Sequence, residues 1–159
     1  MPATTLIVIY NALGQVLLAM KKRGFGAGKW NGPGGKVVPN ETVEDACKRE
    51  TLEEVGLTLG KIEPRGHVDF VFQQADGTEK YERCFVFAST DFAGEPVESE
   101  EMKPQWFTID DIPWKHMWEG DELWFKNVML GETVYRTLTF DADYKLVSIE
   151  PLDVNAQAK

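Results

Sequence analysis

Between Gly35 and Gly56 the chain sets a glycine, four carboxylates (Glu41, Glu50, Glu53 and Glu54), Arg49 and a helix-stopping glycine at fixed intervals, and no other stretch constrains the fold as tightly. Thr42 followed by Asp45 predicts a capped helix start. The hydroxyl can accept an orphan N–H of the first turn, and Glu44 and Asp45 favour the positive end of the helix dipole. The helix is expected over 43–55, closed by Gly56 in the left-handed conformation. At about 100° per residue, Val43, Ala46 and Cys47 share one face, Glu50 and Glu54 continue that stripe, and Glu53 lies at its edge. Three carboxylates at i, i+3 and i+4 should then aim into one small volume.

Crowded, inward-facing carboxylates repel unless they are protonated, hydrogen-bonded or bound to cations. A hard divalent ion suits them, because magnesium takes carboxylate oxygens and shares its other positions with water and phosphate. Acidic runs on a helix are ordinarily solvated, but here they prolong an apolar face. Arg49, one turn before Glu53, can brace a carboxylate with its forked donors. Ahead of the helix lies Asn31-Gly32-Pro33-Gly34-Gly35-Lys36, reached through Arg23-Gly24-Phe25-Gly26-Ala27-Gly28-Lys29-Trp30. Glycines let backbone approach a phosphate, and Lys21, Lys22, Arg23, Lys29 and Lys36 supply positive charge.

The run Gly35 to Leu57, GKVVPNETVEDACKRETLEEVGL, resembles the Nudix box, with Thr51 where an aliphatic residue is usual. The resemblance implies an α/β fold, an α/β/α sandwich with a mixed central sheet. It also implies a hydrolase of nucleoside diphosphates linked to another group, acting through bound magnesium or manganese. On this likeness Glu50, Glu53 and Glu54 are metal ligands, the backbone carbonyl of Gly35 joins them, and Glu53 or Glu54 is the general base. The metal would polarise a phosphoryl oxygen and lower the pKa of an attacking water.

A narrower likeness extends over nearly the whole chain. Met20 to Gly28, Trp30-Asn31-Gly32, Pro96 to Ser99, Glu101-Met102, Ile112-Pro113 and Met117-Trp118 resemble the animal oxidised-purine nucleoside triphosphatases, a branch of that family. Those enzymes convert 8-oxo-dGTP and 2-hydroxy-dATP to the monophosphate and pyrophosphate. Carried over, the likeness implies that Asn31 bonds the purine, Trp118 stacks on it, and Phe25, Thr5 and Lys21 line the pocket. It makes Glu101 a further metal ligand or catalytic carboxylate and Asp121 a base-recognising group. Three positions depart from the branch: Gly120 replaces the first of two adjacent aspartates, Glu82 stands near an apolar lining position, and Pro33 replaces an aromatic. Two alternatives stay open: hydrolysis of another nucleotide (an unmodified dNTP, an N-alkylated purine triphosphate or a dinucleoside polyphosphate), and a nucleotide-binding module without catalysis.

At 159 residues and 43% hydrophobic, the chain suits a single domain over 1–152 with a polar, fraying tail over 153–159. A net charge of −9 opposes nucleic-acid binding, which needs a basic surface, and favours a free nucleotide met locally by metal and lysines. Cys47 and Cys84 read as unpaired thiols, and the amino terminus shows neither secretory signal nor membrane span, so a cytoplasmic monomer is expected. His67 and His116 are too few and too distant to argue a metal site. Alternation predicts strands over 5–10 and 16–20 joined as a hairpin through Asn11 to Gly14, and a second hairpin of 65–74 with 79–89. Further on it predicts a strand over 105–108, an amphipathic helix over 122–129 and a final hairpin of 132–140 with 145–150.

Overall fold

The first strand, β1 (Ala3–Ile9), is buried on both faces: Leu6 and Val8 enter one core, Ile7 and Ile9 another. Successive side chains of a strand point to opposite faces, so such a run needs a layer on each side. The computed structural model, which describes residues 1–152, supplies both layers. In chain order β1 is followed by β2 (Val16–Lys21), β3 (Trp30–Asn31), α1 (Val43–Val55), β4 (Thr58–Leu59), β5 (Glu63–Gln73) and β6 (Glu79–Ser89). Then come β7 (Phe92–Ala93), β8 (Met102–Phe107), α2 (Asp121–Met129), β9 (Val134–Phe140) and β10 (Leu146–Pro151). Cys47 and Val55 of α1 pack with Ile7 and Ile9, whereas Trp124, Phe125, Val128 and Met129 of α2 pack with Leu6 and Val8.

The main sheet is mixed, as expected, with order β1-β6-β5-β9-β10. β1 runs parallel to β6 and β5 parallel to β9, while β5/β6 and β9/β10 are antiparallel hairpins. β3-β2-β8 form a second, antiparallel sheet. The expected first hairpin is corrected here. A turn forms, with the Asn11 N–H donating to the Gln15 carbonyl, but β1 and β2 meet through the single bridge Tyr10–Val16 and enter different sheets. The free edge of β1 is taken instead by the glycine loop: Thr5 N–H bonds the Gly35 carbonyl (2.8 Å) and Ile7 N–H the Pro33 carbonyl (2.9 Å). A Cβ on Gly34 would lie 1.9 Å from the Thr5 carbonyl oxygen, so only glycine allows this approach. The predicted strand at 105–108 is longer and earlier, because Met102 to Phe107 pairs along the whole of β2.

Candidate active site

The α1 helix begins and ends as its caps require. The Thr42 hydroxyl accepts the Asp45 N–H at 3.0 Å, and Gly56 is left-handed. Its buried stripe, however, is Ala46, Cys47, Thr51 and Val55, which leaves Glu50 and Glu54 flanking the core. Thr51 fits the aliphatic slot because its hydroxyl donates to the Cys47 carbonyl at 2.7 Å, satisfying itself inside the helix.

The three box glutamates do not converge equally. The Glu54 carboxylate accepts the Gly34 N–H at 3.2 Å. Burial pushes this carboxyl up to about 7; the nearby charges of Glu50 and Glu101 raise it further, while the Gly34 N–H and Lys21 oppose the rise. Glu53 has an exposed side chain and is held by Arg49 instead. Nη1 of Arg49 donates to Glu50 (2.9 Å) and Glu53 (3.2 Å), its Nε and Nη2 take both oxygens of Glu41, and Nη2 also reaches the Lys36 carbonyl. The guanidinium holds the Glu41 carboxyl down at about 2. The expected convergence of all three is corrected: Arg49 holds Glu53 at the exposed rim, while Glu50, bonded to Arg49 through one oxygen, keeps the other against Gly35, where a Cβ would lie 2.5 Å from it; among the described residues no three His, Cys, Asp or Glu side chains form a ready cation cage. The Gly35 carbonyl accepts both the N–H and the hydroxyl of Thr5.

The donors still suit a divalent cation. Glu50, Glu54 and Glu101 concentrate negative charge around a buried carboxyl that Lys21 only partly offsets, and desolvated anions of this kind gain from a hard cation. The Arg23 guanidinium pairs with Glu101 at 3.1 Å, and Lys22 with Glu98, so these two predicted phosphate-binding cations are engaged elsewhere.

Beside Glu54 opens a cavity of about 510 Å³, within the range of small-molecule sites. It brings together Thr5, Lys21, Phe25, Asn31, Trp118 and Asp121, as the sequence implied, but Lys36 does not line it. Its wall is one face of the main sheet, with Phe70 and Phe72 of β5 against Glu82 and Lys80 of β6. At the mouth Trp118, Phe25 and Tyr144 pack with ring centroids 4.9 to 6.0 Å apart, and the Lys29 ammonium sits 5.0 Å over the Trp118 ring. Tyr144, Phe70 and Phe72 had no assigned role in the sequence. The alternation of β5 could have flagged its phenylalanines; Tyr144 gave no signal.

Asp121, the first residue of α2, is 3% exposed and its Oδ2 has no hydrogen-bond partner. Burial pushes its carboxyl up to about 7. The Trp124 indole N–H approaches and pulls the other way without reaching hydrogen-bond geometry. A buried carboxyl in a cavity with one oxygen left unbonded is poised to meet a donor on a ligand. The adjacent Gly120 has φ +91°, and a Cβ there would lie 2.8 Å from Leu138 Cδ2 and 3.1 Å from Leu146 Cδ2. Backbone and packing together favour glycine at 120.

This fold, with a carboxylate helix behind a glycine loop, defines a Nudix hydrolase, and the chain belongs to that family: the NUDIX domain model matches residues 1–127. Among its relatives is the oxidized purine nucleoside triphosphate hydrolase of Danio rerio, 44% identical over 153 residues, spanning 93% of this chain and 96% of the relative. The Mus musculus protein of the same name is 50% identical over 111 residues, covering 70% of this chain and 69% of that protein. The crystal structure of a MutT protein from Bacillus halodurans superposes with a TM-score of 0.83 at 30% identity, covering 94% of this chain and 97% of that one. Nudix hydrolases generally use a divalent metal.

Proposed function

We propose that the protein hydrolyses oxidised purine nucleoside triphosphates, such as 8-oxo-dGTP and 2-hydroxy-dATP, to the monophosphate and pyrophosphate, clearing them from the nucleotide pool. The observation that carries this reading is the buried Asp121 carboxyl, one oxygen of which has no hydrogen-bond partner, in an aromatic-mouthed cavity beside Glu54. The zebrafish and mouse relatives are named for this activity. Glu50, Glu54 and Glu101, with Glu53 at the rim, would hold Mg²⁺ or Mn²⁺. A metal held there would polarise a phosphoryl oxygen and lower the pKa of water. Glu54 or Glu53 accepts the water proton, Arg49 orients Glu50 and Glu53, and Lys21 and Lys29 meet phosphate charge. Trp118 and Phe25 stack on the base, while Asn31, Asp121 and Thr5 read its edges.

The protein is read as a monomer, and the free buried thiols Cys47 and Cys84 suit a reducing cytoplasm. Pyrophosphate release from a nucleotide panel with magnesium tests the substrate. Oxidised nucleotides should exceed dGTP and dATP in kcat/KM, and equal values would overturn the assignment.

A further inference from the structure

Glu82 is the unexpected group of the base cavity. Along β6 the residues that line it alternate: Lys80, Glu82 and Cys84 do, whereas Tyr81 and Arg83 do not. The cross-strand partner of Glu82 is Phe70, that of Lys80 is Phe72, and Phe140 of β9 completes an aromatic wall. A carboxyl set into such a wall is costly unless something bonds it. Burial pushes it above the ordinary glutamate range, and only the Thr4 hydroxyl and the charge of Lys36 oppose that. The Cys84 thiol lies within electrostatic reach of both Glu82 and Asp121. One wall of the cavity therefore carries an acidic acceptor on the sheet, separate from the one at the start of α2.

We propose that Glu82 is a second base-reading residue, whose carboxylate accepts the ring N–H that oxidation creates on a purine. The inference rests on the oxidised-purine reading above. Its chemical basis is a reversal of polarity. Oxidation at C8 turns N7 from a bare acceptor into an N–H donor, and oxidation of adenine at C2 gives a keto form with an N–H at N1. A carboxylate rewards the donor and repels the lone pair of the unoxidised ring, so one side chain both favours the right base and penalises the wrong one. An apolar residue at this position could pack against either ring but could not tell them apart. With Asp121 reading from another wall, the cavity matches bases that present donors on two edges.

The test compares wild type, Glu82→Met and Glu82→Gln on 8-oxo-dGTP and dGTP with magnesium. Methionine keeps the wall filled and removes the acceptor. It should lower the ratio of kcat/KM values, oxidised over plain, by about tenfold or more, the size of a lost hydrogen bond to a charged group. The change should fall on KM for 8-oxo-dGTP, with kcat held within about twofold, since the group binds the base and not the phosphates. Glutamine should give an intermediate ratio, and it decides the matter if thermal melting shows the methionine variant unfolded. A high wild-type ratio left unchanged by both substitutions overturns the role of Glu82 alone. A wild-type ratio near one overturns the oxidised-purine reading, and Glu82 as its reader falls with it.

Discussion

The backbone N–H of Gly34 donates to the Glu54 carboxylate at 3.2 Å, tying the glycine loop to α1 across 20 residues of sequence. The same loop is zipped to the edge of β1 through Pro33 and Gly35. The position of Glu54 thus depends on the main sheet as well as on its own helix.

Glu54 must be ionised to hold a cation or take a proton, yet burial pushes it up to about 7. A metal binds the ionised form and therefore lowers the apparent pKa, so the acid limb of the pH–kcat/KM profile should move to lower pH as magnesium rises. An acid limb that ignores magnesium concentration would detach Glu54 from the metal. Glu54→Gln should cost at least about a hundredfold in kcat while nucleotide binding, read by Trp fluorescence, persists.

Asp121 gives a stability signature of defined sign. Its folded pKa, about 7, lies above the ordinary aspartate value, so the native state binds the proton more tightly than the unfolded chain does. The Asp121 contribution to wild-type stability should fall as pH rises from 4 to 7 and level off above. Asp121→Asn cannot ionise and should gain stability relative to wild type over that window, with a slope of at most about 1.4 kcal/mol per pH unit. Parallel melting curves for the two proteins across that range would rule out the buried, raised carboxyl. The same variant should blunt discrimination between purines.

Gly120→Asp would restore the paired aspartates in sequence only. With φ at +91° and Leu138 and Leu146 against its Cβ, the substitution should destabilise the fold by about 2 kcal/mol in chemical denaturation. Stability equal to wild type would show that the turn relaxes freely.

Tyr144 has φ +60° in the β9–β10 turn, and its ring packs on Phe25, Phe72 and Trp118. Glycine tolerates that backbone, so Tyr144→Gly should leave the melting temperature nearly unchanged while raising KM about fivefold or more and sparing kcat. A KM within twofold of wild type would remove the ring from substrate binding.

The features legible in the chain before it folds are local ones. The helix 43–55, its caps at Thr42 and Gly56, and the β5/β6 and β9/β10 hairpins follow from capping chemistry and two-residue alternation, which act between near neighbours. The box spacing likewise placed the carboxylates on one helix. How each is engaged was settled by packing, because Arg49 reaches Glu41, Glu50 and Glu53 together while Glu54 accepts the Gly34 N–H. Packing also made β1 pair with β6 and the glycine loop instead of with β2, a choice between distant edges that no local pattern encodes. The cavity belongs to that level too: Glu82, Asp121 and Tyr144 are far apart in the chain and meet only because the sheet brings β6, the start of α2 and the β9–β10 turn to one side. Burial there sets the chemistry of Asp121 and Glu82, and burial is a property of the packed molecule.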